Sequence, residues 1–168
     1  MASWNNSYFM QIALKEARAA SARGEVPVGA VIVDSRDKTI LARTGNRVVE
    51  TTDPTAHGEI LAIREAASSI GNHRLEGCDL FVTLEPCPMC AQAISLARIR
   101  RLYFGAYDRK SGGIEQGPCI FAHSTCHHKP EIVGGFMEME ASNLLLDFFK
   151  TRRKMQNPSA LPHPQSFS

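Results

Sequence analysis

Two short clusters of chemistry-bearing residues constrain this chain more than any other feature. The first is Asp53-Pro54-Thr55-Ala56-His57-Gly58-Glu59, and the second is Glu85-Pro86-Cys87-Pro88-Met89-Cys90. Each follows residues that read as a strand and opens residues that read as a helix. Turns from strand ends into helix starts are the ligand-binding places of open α/β sheets. A fold that respects both clusters therefore brings His57, Glu59, Cys87 and Cys90 together at one end of a sheet.

The spacing suits metal chemistry. Cys87 and Cys90 are i and i+3, so at a helix start they share one side and can hold one ion. Pro86 and Pro88 are tolerated there because first-turn N–H groups have no intrahelical acceptor, and a helix N-terminus favours thiolate over thiol. His57 and Glu59 are i and i+2, about 200° apart on a regular helix, which implies two different jobs. With His57, Cys87 and Cys90 as ligands, the fourth tetrahedral position of a zinc ion stays open for water, the mark of a catalytic site. Two thiolates and a neutral imidazole cancel the ion's charge, so the water is acidified less than in an all-histidine site. A carboxylate that takes its proton is then required, and Glu59 fits. A bare C-x-x-C is also the thioredoxin-like redox pattern; the upstream H-x-E favours zinc.

The rest of the chain reads as one α/β domain over residues 1–154, followed by a disordered tail at 155–168 that is rich in proline and serine and lacks periodicity. Helices are predicted over 7–23, capped by Asn6 or Ser7 and ended by Gly24, over 54–69 with Asp53 as N-cap and Pro54 at the first position, over 87–98, and over 137–154. In the second, Ile60, Ile63 and Ala67 are expected to face a core; in the last, Met139, Ala141, Leu144, Leu145 and Phe148 form the apolar set. Strands are predicted over 26–33, 39–44, 79–84, 101–107 and 131–133, the first two antiparallel. The glycine- and proline-bearing stretch 108–130 reads as a long functional loop.

Several residues admit two readings. Asn46, at a strand end, either caps a turn or presents an amide that both donates and accepts, as the reading of a base edge requires. Cys126-His127-His128 has no partner pair nearby in sequence and suits packing or a substrate-side role better than a second metal. The basic run Lys150-Thr151-Arg152-Arg153-Lys154 suits a solvated helix C-terminus. The preceding Phe148-Phe149 cannot both face one core stripe, which leaves a ring exposed for stacking on a base. A net charge of +2 does not by itself argue for nucleic acid. No secretory signal and no apolar run of the ~18 residues a spanning helix needs is visible. Five cysteines, an odd number, fit a reducing cytoplasm.

The H-x-E and P-C-x-x-C motifs in this order are the signature of zinc-dependent nucleobase deaminases. Together with Glu25-Val26-Pro27-Val28-Gly29-Ala30-Val31, Gly45-Asn46-Arg47, Phe104-Gly105-Ala106-Tyr107-Asp108 and Asp147-Phe148-Phe149-Lys150, they make the chain resemble the cytidine deaminase-like superfamily over roughly residues 7–154. Within it, the Asn46-to-His57 segment and the Asp147-Phe148-Phe149 ending resemble the tRNA adenosine deaminases. The resemblance implies a three-layer α/β/α fold around a five-stranded mixed sheet, a homodimer, one Zn²⁺ per subunit, and conversion of adenosine to inosine at the wobble position of a tRNA anticodon stem-loop. It implies that His57, Cys87 and Cys90 bind zinc, that Glu59 shuttles protons, that Asn46 contacts the target base, and that Asp108, Lys110, Phe149 and Arg153 lie along the RNA. Gly58 stands where the family usually has alanine, and Pro88 is a residue also found in deaminases of free bases. The alternatives are a deaminase of a free base or nucleoside such as guanine or cytosine, a non-catalytic zinc module, and a thiol redox protein.

Overall fold

The computed structural model describes residues 5–157. Helix α1 spans Asn6–Ala22 and is capped by Asn5, whose side chain accepts the Tyr8 N–H; the cap thus lies one residue before the expected Asn6. Strands β1 (Gly29–Asp34) and β2 (Ile40–Gly45) form an antiparallel hairpin with a register shift at Ile32/Val33. A single turn, α2 (Val48–Thr51), precedes α3 (Gly58–Ile70), which stops at Gly71 in the left-handed conformation. Then come β3 (Cys78–Leu84), α4 (Pro88–Leu96), β4 (Arg101–Ala106), β5 (Glu131–Val133) and α5 (Glu138–Gln156). Helix α5 continues through Met155 and Gln156, past the expected boundary at 154; residues 158–168 of the expected tail lie outside the described residues.

The five strands lie in the order β2-β1-β3-β4-β5. β1 is antiparallel to β2 and β3, while β3, β4 and β5 are parallel, so the sheet is mixed as expected. The central strands are buried on both faces, which is why β1 and β3 read as nearly unbroken apolar runs. On one face α1 and α5 pack Phe9, Met10, Leu14 and Ala141 against Val31, Val33, Phe81 and Tyr103. The Phe81 and Tyr103 rings are stacked 4.4 Å apart at the centre of this layer. On the other face α3 and α4 pack Ala62, Ala66, Ala91 and Ile94 against Ala30, Ile32, Leu80, Val82, Leu102 and Phe104. The contact of α1 with β1 is so close that a Cβ at Gly29 would lie 1.9 Å from the Ala13 carbonyl oxygen; only glycine permits that approach.

Two helix faces differ from the sequence reading. On α3 the buried stripe is Glu59, Ala62 and Ala66, not Ile60, Ile63 and Ala67, of which Ile63 and Ala67 pack only at its margin. The small alanines bring the helix close to the sheet, and the larger residues flank the contact. On α5, Ala141 and Phe148 are buried but Met139 is 75% exposed.

Candidate active site

Helix α3 begins at Gly58, not at Pro54. Asp53 does not cap it: its Oδ1 accepts the Thr55 N–H at 2.8 Å and the Thr55 hydroxyl at 2.7 Å. This local turn competes with helix formation, and a residue before proline is biased away from the helical region. The cap arrives from the end of β2 instead, where the Asn46 side-chain oxygen accepts the Gly58 N–H at 2.7 Å. His57 therefore stands just outside the helix in extended conformation, and the 200° separation expected for a regular helix does not apply. The imidazole turns towards the cysteines while Glu59, two residues on, joins the buried stripe of α3.

At the second cluster, Cys87 occupies the N-cap position of α4 and Pro88 the first turn, with Cys90 fully buried one turn in. His57 Nδ1 lies 3.6 Å from Cys87 Sγ and 3.5 Å from Cys90 Sγ. One ligand atom from each of the three residues falls within 4.8 Å of the other two. Zinc–sulfur bonds of about 2.3 Å and a zinc–nitrogen bond of about 2.0 Å at the tetrahedral angle place sulfur and nitrogen about 3.5–3.6 Å apart. Both sulfur–nitrogen separations match that geometry. The charges agree with it. In the metal-free protein Cys87 is held down to about 4, chiefly by a hydrogen bond from the Cys90 thiol. That same bond, with burial, pushes the Cys90 thiol far up. One proton shared between two close sulfurs is what a dication displaces.

Glu59 is 3% exposed, and its Oε2 is a buried oxygen with no hydrogen-bond partner among the described residues. Burial pushes its carboxyl up to about 7 in the metal-free protein. A buried carboxylate oxygen left without a donor is costly unless a ligand completes it.

These residues form one end of a cavity of about 390 Å³, within the range of small-ligand sites. Of the expected substrate contacts, Asn46 and Asp108 line this cavity; Lys110, Phe149 and Arg153 do not. Asn46 caps α3 through its side-chain oxygen, and its side chain also lines the cavity. From α5 the lining residue is Arg152. Its guanidinium lies 4.8 Å from the centre of the Phe148 ring and donates to the Gly24 carbonyl at 3.0 Å. Phe148 and Arg152 share the inward face by the i, i+4 rule, which turns Phe149, 45% exposed, and Arg153 outward. The sequence reading named none of Glu25, Glu85, Ser111 or the valines of α2 as site residues, yet all line the cavity. Glu85 gave a usable signal: a carboxylate directly following the buried run Cys78–Leu84.

Cys126 and His128 serve packing. Cys126 is buried beside the Ser95 hydroxyl, that hydroxyl donates to the His128 carbonyl at 2.7 Å, and His128 Nε2 meets the Ile99 carbonyl at 2.6 Å.

The sequence matches the family model for the cytidine and deoxycytidylate deaminase zinc-binding region over residues 3–106. It is 52% identical over 147 residues to a tRNA-specific adenosine deaminase of Agrobacterium fabrum, covering 88% of this chain and 95% of that protein. It is 46% identical over 146 residues to the enzyme of the same name from Aquifex aeolicus, covering 87% and 95%. Among solved structures, one from work on A-to-I editing by tRNA:A34 deaminases at the wobble position of transfer RNA superposes with a TM-score of 0.81 at 53% identity, covering 83% of this chain and 100% of that one. A Bacillus subtilis guanine deaminase shares the fold at a TM-score of 0.59 and 26% identity, covering 98% and 99%. The chain belongs to the tRNA-specific adenosine deaminase family of zinc-dependent deaminases.

Proposed function

We propose that this protein deaminates the wobble adenosine of a tRNA anticodon stem-loop to inosine, using one zinc ion per subunit held by His57, Cys87 and Cys90. The observation that carries the chemistry is the unpartnered, buried Oε2 of Glu59 beside those three side chains. When bound, zinc supplies a Lewis acid that generates a nucleophile from water near neutral pH. Glu59 takes one proton from the attacking water and delivers it to the ring nitrogen beside the attacked carbon; it then takes the second proton, from the hydroxyl now on that carbon, and gives it to the exocyclic amine as the C–N bond breaks and the C=O forms. A C–O bond forms, and ammonia leaves. Asn46, its oxygen committed to α3, presents its amide N–H groups to the base.

Support for a polymeric substrate comes from the surface around the cavity. A second groove of about 310 Å³ between α1 and α5 shares Gly24 and Arg152 with the first, so the two lie side by side. A free base needs only the first. Lys150, Arg153 and Lys154 are exposed and make no ion pair among the described residues, which leaves them for phosphates. Lys110 is exposed on the loop after β4, and Phe149 offers a ring for stacking. In this reading Asp108, Lys110, Phe149 and Arg153 lie along the flanking nucleotides, with Asp108 nearest the target base. The protein acts as a homodimer in the cytoplasm, where its substrate resides; no described helix is long and apolar enough to cross a membrane.

The deciding experiment compares inosine formation in an anticodon stem-loop RNA with deamination of free adenosine, guanine and cytosine, alongside zinc analysis and light scattering. Turnover of the RNA alone is the expected outcome. Faster turnover of guanine or cytosine than of RNA assigns the site to free bases, in keeping with Pro88, and a monomer at micromolar concentration removes the dimer.

A further inference from the structure

Glu85 is 1% exposed, yet it lies at the foot of the cavity wall, and no step of the proton transfer uses it. Its side chain is fully engaged, and every partner is a backbone N–H from one loop. Oε1 accepts from Asp108 at 3.2 Å; Oε2 accepts from Ile114 at 3.1 Å and from Glu115 and Gln116 at 3.0 Å each. Three converging N–H groups on one oxygen, with a fourth on the other, require a carboxylate, because an amide or a hydroxyl group would present a hydrogen to a donor. The same loop is tied once more to the turn between β3 and α4 and lies close against it. The Gly113 N–H donates to the Pro86 carbonyl at 2.8 Å, and a Cβ at Gly112 would lie 2.7 Å from the Glu85 carboxyl carbon. The loop backbone therefore lies directly on the turn that carries Cys87.

The cavity wall supplied by this loop is Asp108 and Ser111. Asp108 holds its own turn by accepting the Lys110 and Ser111 N–H groups at 3.1 and 3.0 Å, but its backbone is anchored to the body through Glu85. We propose that Glu85 is a positioning residue: its carboxylate registers the 108–116 loop against the Cys87-bearing turn, so that the substrate-facing wall and the metal ligands keep one fixed separation. The consequence is a division of labour. Glu59 acts on the reacting atoms, whereas Glu85 acts only through the loop, on how well the substrate is held.

This inference rests on the proposed RNA reading, and its test separates the two. Glu85→Gln keeps size and shape but replaces one acceptor oxygen with an N–H₂ group. On the zinc-loaded full chain with an adenosine-containing anticodon stem-loop, KM should rise about tenfold or more while kcat changes several-fold less, the pattern of weakened uniform binding. Zinc content should stay at the parent value. Hydrogen exchange at the amides of Ile114, Glu115 and Gln116 should lose protection selectively, with the β1 and β3 amides unchanged. Parent KM and parent exchange in this variant overturn the proposal, and so does loss of zinc in proportion to kcat, which would make Glu85 a support for the metal turn instead. If Glu85→Gln does not accumulate as folded protein, Gly112→Ala is the test: its Cβ would meet the Asp108 carbonyl oxygen at 2.4 Å and the Glu85 carboxyl at 2.7 Å, so it displaces the loop from both, and an unchanged KM there overturns the proposal. Should the parent fail to deaminate the RNA at all, the proposed function fails, while exchange and zinc content still decide the role of Glu85.

Discussion

The floor of the cavity and the face of α5 beside it are built from opposite materials. The floor is buried: Cys90 is 0% and Glu59 3% exposed, and Glu59 Oε2 has no hydrogen-bond partner among the described residues. Helix α5 contributes one stacked arginine and otherwise an exposed row of Lys150, Arg153 and Lys154, which make no ion pair among the described residues. Charges in a low-dielectric floor interact strongly and cost much when unpaired, whereas exposed charges are screened and individually weak. Chemistry belongs to the first environment, and salt-sensitive affinity for a polyanion belongs to the second.

The sharpest way to break this division is at Glu59. Glu59→Ala should keep zinc and RNA affinity but lower turnover by roughly 10²–10⁴-fold, the scale of general acid–base catalysis. Loss of metal together with activity would show that Glu59 is a ligand and that the floor has been misread. Removing zinc with a chelator should abolish activity and lower the melting temperature, with recovery on adding zinc back. Formation of a reversible Cys87–Cys90 disulfide in a protein that never contained zinc would move the site to redox chemistry.

The pH dependence of metal-free stability probes the same floor. Burial raises Glu59 from 4.5 to about 7. A carboxyl whose folded value lies above its unfolded value contributes full stability below the unfolded value and loses it as pH rises through the folded one. Relative to metal-free Glu59→Gln, the metal-free parent should therefore weaken between about pH 4.5 and 7, by roughly 3 kcal/mol. Parallel denaturation profiles of the two proteins across that window would mean that Glu59 is hydrated, not dry.

On the α5 side, Arg153→Ala with Lys154→Ala should leave zinc content and kcat unchanged and weaken RNA binding. The slope of log affinity against log salt should flatten by about 0.7 for each phosphate that is no longer neutralised. An unchanged salt slope would reduce the basic run to a solvated helix end. Arg152 is the poorer probe, because its removal also frees Phe148 and the Gly24 carbonyl. The smallest effect is expected at Gly58. A Cβ there would meet nothing nearer than the Val28 carbonyl at 3.5 Å, so Gly58→Ala should stabilise by about 0.4–1 kcal/mol by limiting the unfolded chain. A loss of stability would show that the turn before α3 is tighter than it looks.

The sequence by itself determined the α/β class, the five strands in their places, and the grouping of His57, Cys87 and Cys90. Those signals are local: apolar runs, turn residues, and ligand types at metal spacing. It also separated Phe148 from Phe149, because adjacent residues on a helix cannot share a stripe. Tertiary structure decided where α3 starts: the Asp53 turn is local, but the Asn46 cap forms only once β2 delivers Asn46 to Gly58. It decided that Arg152 lines the cavity and that Arg153 does not, because the orientation of α5 is set by Phe148 packing and not by charge. The role of Glu85 is of the same kind: one carboxylate gathers N–H groups from residues 23 to 31 positions away, and such a convergence leaves no periodic trace along the chain.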